Sequence, residues 1–205
     1  MRYTTNILTI HIPLYSFLII QKKASAAVTG AWTNSALGAA AGNKQAFTFN
    51  AKCILSYLGG SLIAGLVNPN PITFEIASSS IRSALWIGSL LLYLSYRIAE
   101  KGGVEYIFLA ASAMGIQNSL TSTTTANLVR SAHFSGITSD MGTFLGQVLR
   151  GNTQNLIKLK VFFSLAISFW VGGWLSYSLT KQFGTQMLLF SSFLYLLLGF
   201  GSTSL

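Results

Sequence analysis

Charge is scarce in this chain and acid scarcer still: 4 Asp+Glu stand against 13 Lys+Arg in 205 residues, and charged residues make up only 8%. An average soluble domain carries about 25% charged residues, so the polar coat of a water-soluble surface is missing. The lone cysteine, Cys53, excludes an intrachain disulfide and any Cys-based metal site, and in its apolar stretch it reads as a small packing residue. Two histidines, His11 and His133, fall on different elements and cannot form a helical metal pair. Neither a Gly-x-x-x-x-Gly-Lys-Ser/Thr phosphate loop nor a Gly-x-Ser-x-Gly elbow occurs, so no enzyme and no cofactor is expected. The net charge of +9 is spread singly at segment ends, with Lys22-Lys23 and Lys158/Lys160 the only clusters. A nucleic-acid binder groups its cations on one face, whereas excess positive charge in loops is ordinary for membrane proteins.

What is present is apolar length. Hydrophobic residues make up 51% of the chain and the mean hydropathy is +0.55. Six apolar segments stand out, at residues 7–20, 47–67, 81–98, 104–120, 161–179 and 183–200. A helix crosses the hydrocarbon core with about 17–25 residues, a length that all but the first segment reach. That first segment is short and contains Pro13. Arg2 ahead of it and Ala24-Ser25-Ala26 behind it also fit a signal peptide, although Lys22-Lys23 in between argues against cleavage. Lys and Arg divide evenly between the two sides, so the charges give no orientation.

Two long connections, 21–46 and 121–160, are not ordinary loops. They carry Thr29-Gly30-Ala31-Trp32-Thr33-Asn34-Ser35-Ala36-Leu37-Gly38 and Ser135-Gly136-Ile137-Thr138-Ser139-Asp140-Met141-Gly142. Each holds a Gly-x-x-x-Gly pair, Gly38/Gly42 and Gly142/Gly146, a spacing that puts both glycines on one helix face. Each is followed by an apolar helix with a glycine doublet, Gly59-Gly60 or Gly172-Gly173. The expectation is one all-α domain over 1–205, a polytopic transmembrane helix bundle of about six spans. It contains two glycine-rich broken or re-entrant helices in an inverted 3+3 repeat, with halves at 1–100 and 101–205.

One stretch also carries a family likeness. Met114-Gly115-Ile116-Gln117-Asn118, then Val129-Arg130-Ser131-Ala132-His133-Phe134-Ser135-Gly136 and Thr138-Ser139-Asp140-Met141-Gly142, resembles the YoaK family of small bacterial inner-membrane proteins. The likeness extends over roughly 16–200, with Ala26-Ala27-Val28-Thr29-Gly30 similar to the family's first-half element. It departs at His11-Ile12-Pro13-Leu14-Tyr15, where the family's first helix holds an acid, and at Ala31, where the family often has Asn. The resemblance implies a multi-pass inner-membrane protein of six or seven helices and supplies no activity.

The candidate site residues follow from the polar groups at membrane depth. Asp140 is an acid beside a glycine pair, a candidate for a proton or ion pathway, with a helix cap as the plainer reading. Asn34 occupies the comparable place in the first half. Arg130 can pair with Asp140 or bind an anion, and His133 can relay protons; both also fit a solvated loop at the lipid headgroups. Gln117 and Asn118 put two amides at the end of a span, for a substrate or for interhelical bonding. Thr29-Gly30 and Ser135-Gly136 are helix starts, whose free N–H groups suit an anionic solute. The expected function is a small-solute secondary transporter, with a non-transporting membrane scaffold or partner subunit as the alternative. The expected partners are the lipid bilayer, a small anionic solute and a second copy of the chain, with no nucleic acid and no metal.

Overall fold

The computed structural model describes residues 19–20, 23–24, 28–73, 78–126 and 134–201. Among these the architecture is all-α. The helices are α1 (Val28–Ala40), α2 (Lys44–Val67), α3 (Ser79–Glu100), α4 (Tyr106–Thr124), α5 (Phe134–Leu149), α6 (Leu156–Phe183) and α7 (Gln186–Gly201). A 3-10 turn, Thr153–Asn155, leads into α6, and Ile19–Ile20 pairs antiparallel with Lys23–Ala24. The rest of the first apolar segment lies outside the described residues.

Glycines in the left-handed region end several helices, where a side chain would strain the backbone. Gly42 (φ 66) closes α1 and Gly151 (φ 90) closes α5. In both turns the next residue reaches back five positions: Asn43 N–H donates to Gly38 O at 2.8 Å, and Asn152 N–H to Gln147 O at 3.0 Å. Both asparagines then turn their side chains forward. Asn43 Oδ1 accepts from Ala46 N–H at 3.0 Å and Asn152 Oδ1 from Gln154 N–H at 3.1 Å. One Gly-Asn pair therefore stops a short helix and starts a long one, in each half of the chain. Gly102 (φ 77) joins α3 to α4, with Gly103 N–H donating to Ile98 O, and Gly184 (φ 55) lies in the two-residue turn between α6 and α7.

Close approach at small residues sets the packing. Where α4 crosses α2, Gly60 lies on the Ser112 main chain and Gly115 on the Tyr57 carbonyl, so near that a methyl on either glycine would overlap backbone. Ser112 Oγ donates to Ser56 O at 2.8 Å and Ser61 Oγ to Gly115 O at 3.2 Å across the same crossing. With Phe49 beside Phe108 at 5.7 Å, the contacts advance together along both chains, so α2 and α4 run parallel.

The seam between α3 and α7 runs the other way. Gly88 sits on the Tyr195 ring, Gly199 on the Trp86 indole, and Trp86 meets Phe200 at 5.4 Å. At its centre Ser89 Oγ donates to Ser192 O and Ser192 Oγ to Ser89 O, both at 2.8 Å. Leu92, Met114, Ile116, Leu188 and Tyr195 fill the core between α3, α4 and α7. A smaller cluster of Ile137, Phe162 and Leu165 joins α5 to α6.

These directions fix which turns share an end. The α1–α2, α3–α4 and α6–α7 turns lie at one end of the four-helix core.

Among the described residues, α2 and the run Thr153–Phe183 are long and apolar enough, by length and composition, to cross a membrane; Gln186–Phe200 is a shorter apolar helix. Six such spans were expected, and the difference has a physical reason. Helices α3 and α4, at 22 and 19 residues, carry Ser, Thr, Gln and Asn on the faces they turn inward, which dilutes their apolar character. Helices α1, α5 and α7, at 13, 16 and 16 residues, reach about 20–24 Å.

Candidate functional site

The two glycine-rich stretches form α1 and α5, and each lies along the long helix that follows it. On α5, Phe134 lies tilted against Phe169 with ring centres 4.0 Å apart, and Phe144 stacks on Phe162 at 5.8 Å. Phe169 is near the middle of α6, so the first described turn of α5 sits at mid-length of its partner. On α1, Gly38 packs on the Phe47 amide. From there the helix runs roughly 15 Å back to Val28. Thr29-Gly30 and Ser135-Gly136 occupy the first turns of these short helices. There Thr33 Oγ1 donates to Thr29 O and Thr138 Oγ1 to Phe134 O, tying the first turns together.

Several expectations need correction at this level. Asp140 does not cap a helix: α5 has already begun at Phe134, and Asp140 is an exposed residue in its interior. Asn34 is likewise exposed within α1. Gly38 and Gly42 do not share a helix face, because Gly42 forms the turn after α1. Gly142 and Gly146 share a face, yet nothing packs within 4 Å of a methyl placed on either. α1 packs chiefly on α2 and α5 on α6. Arg130 and His133 lie outside the described residues.

Gln117 is the sequence candidate that the fold draws inward. It is fully buried on α4, and its side-chain carbonyl accepts a hydrogen bond from the Tyr195 hydroxyl on α7. Asn118 beside it is half-buried, and its main-chain carbonyl accepts from Thr121 Oγ1 at 3.1 Å. Thr121, Thr124 and Thr125 continue the buried polar line along α4, each hydroxyl donating to a carbonyl three or four residues back. Sequence reasoning missed Tyr195, because it stands in an unbroken apolar run. It also missed Ser89 and Ser192, whose signal would have been their place beside Gly88 and within one turn of Tyr195.

Near the α3–α4 end, an open cleft of about 910 Å³ lies between α3, α6 and α7, lined by Tyr96, Leu179, Phe183, Gln186, Met187 and Phe190. Its walls are mainly apolar, and at its α3 side Tyr96 OH donates to Glu100 Oε1 at 3.1 Å. Among the described residues no group of three or more His, Cys, Asp or Glu side chains is placed to hold a metal ion.

Comparison with known proteins gives one match. No curated protein and no solved structure matches the chain. The family described as "Protein of unknown function (DUF1275)" matches residues 12–201, nearly the whole length and close to the extent of the likeness read from the sequence. The Gly115 crossing and the Gln117–Tyr195 bond thus belong to a protein of the DUF1275 family.

Proposed function

We propose that this chain is a multi-pass protein of the plasma membrane, built as two inverted halves, that moves a small solute across the bilayer. The observation that carries the reading is the place of Phe134, in the first described turn of α5, beside Phe169 in the middle of α6; α5 is taken to begin there. In hydrocarbon, a helix that begins at mid-depth leaves several N–H groups without intrahelical partners, a costly arrangement unless protein or a watery cavity meets them. Transporters place such starts at a solute site, where the positive end of the helix faces anionic groups. The inverted arrangement is supported by the twin Gly-Asn connectors, one in each half, and by the reciprocal Ser89–Ser192 bonds.

In this reading Thr29-Gly30 and Ser135-Gly136 offer amide N–H groups to the solute. Asp140, with Arg130 and His133 nearby in sequence, supplies the titratable groups for coupling. Gln117, Asn118 and Asn34 add neutral hydrogen-bonding groups. A second reading, a membrane scaffold without transport, draws on the tight α2–α4 crossing, which serves packing alone.

Purified protein in liposomes, challenged with a panel of small organic anions, separates the two. The transport reading expects solute-dependent proton movement that Asp140→Asn abolishes while the helical content is kept. The scaffold reading expects no solute movement in either protein.

A further inference from the structure

Helix α6 presents Gly172, Ser176 and Thr180 at four-residue spacing, one face of the helix by its 3.6-residue turn. Gly172 is buried, Ser176 is 0% exposed, and Thr180 is half-buried. Among the described residues neither Ser176 Oγ nor Thr180 Oγ1 finds a hydrogen-bond partner, although both atoms are buried. That departs from the habit of this chain. Thr48, Ser83, Ser164, Ser178 and Ser191, among other helical hydroxyls, each donate to the carbonyl four residues back. The same bond is open to Ser176 and Thr180, and they do not make it.

A buried hydroxyl left without a partner is destabilising, and more so in hydrocarbon, where lipid offers none. Two such groups one turn apart need a common ligand with hydrogen-bonding capacity. The opposite, outward face of α6 is apolar, with Trp170 71% and Trp174 60% exposed. Thr180 lies within one turn of the C-terminal end of α6 at Phe183, and Ser176 one turn deeper. Leu179 and Phe183, beside Thr180 and one turn beyond, line the open cleft at that end.

We propose that the Ser176–Thr180 face of α6 is wetted from the C-terminal end of that helix, forming an aqueous vestibule that leads a polar solute into the second half of the chain. The ligand of these hydroxyls is water, and a small solute rich in hydrogen-bonding groups replaces it during passage. The inference rests on the transmembrane reading of α6 proposed above.

Single-cysteine variants of the full chain, with Cys53 replaced by serine and the protein reconstituted in liposomes, test it with a charged, membrane-impermeant thiol reagent. Thr180→Cys and Ser176→Cys are expected to react within about tenfold of the turn position Thr185→Cys, and about a hundredfold faster than Trp174→Cys. Reaction of the two as slow as that of Trp174→Cys overturns the vestibule while leaving the span intact. Fast reaction at Trp174→Cys instead shows that α6 is not in lipid, which removes the membrane reading and the vestibule with it. Ser176→Ala supplies a readout independent of labelling. A wet hydroxyl predicts an unchanged or lower Tm, and a rise in Tm would mean a dry, unpaired group and overturn the proposal.

Discussion

At the scale of single residues, a few glycines and one polar pair decide how the core closes. Gly60→Ala pushes a methyl into the Ser112 main chain, which has no room to yield, and is expected to cost about 3 kcal/mol. Gly59→Ala next to it meets open space and is expected to gain up to about 1 kcal/mol from helix propensity. Thermal unfolding of the two variants in detergent, compared side by side, checks the contrast. The Gln117–Tyr195 bond gives a second prediction. Tyr195→Phe leaves a fully buried amide short of its donor and is expected to cost about 1–3 kcal/mol. Gln117→Leu is expected to cost a similar amount, and the double variant less than the sum, since both remove one interaction. A double-mutant cycle measured by chemical unfolding would expose a purely additive result, which the observed pairing does not allow.

The elements show what was legible before any coordinates and what was not. Apolar runs located α2, α3, α4 and α6 to within a few residues, because burial in one bundle demands continuous hydrophobic length. Hydropathy could not show which helices pair. The α2–α4 and α3–α7 seams are built from Gly and Ser, residues that lower the mean hydropathy and read as surface. Asp140 was misplaced for a related reason: a capping residue followed by a helix and a helix already under way look alike when Ser and Thr precede both. The connectors carry the test at this scale. Asn43→Ala and Asn152→Ala each remove a side-chain acceptor and are expected to cost about 1 kcal/mol. Gly42→Ala and Gly151→Ala place a side chain in the left-handed region, with a penalty of about 1 kcal/mol or more. Circular-dichroism melts of the four variants should give matching losses in the two halves.

For the whole molecule, the directions of the helices make a prediction about sides. On the multi-pass reading proposed above, Lys101→Cys and Thr185→Cys should be labelled from one face of the membrane, and Asn70→Cys and Thr153→Cys from the other, in a background without Cys53. Labelling of Thr185→Cys and Thr153→Cys from the same side would contradict α6 as a span. The distribution of contact follows the same plan. Helices α2, α3, α4 and α7 share one large core, whereas α5 and α6 form their own smaller cluster and touch the remainder lightly.

The Ser89–Ser192 clasp has a mechanical consequence. Each hydroxyl grips the main chain of the opposite helix, so α3 and α7 cannot roll or slide past one another without both grips letting go at once. That seam is suited to hold the two helices in one fixed register, the hinge pin of the four-helix core.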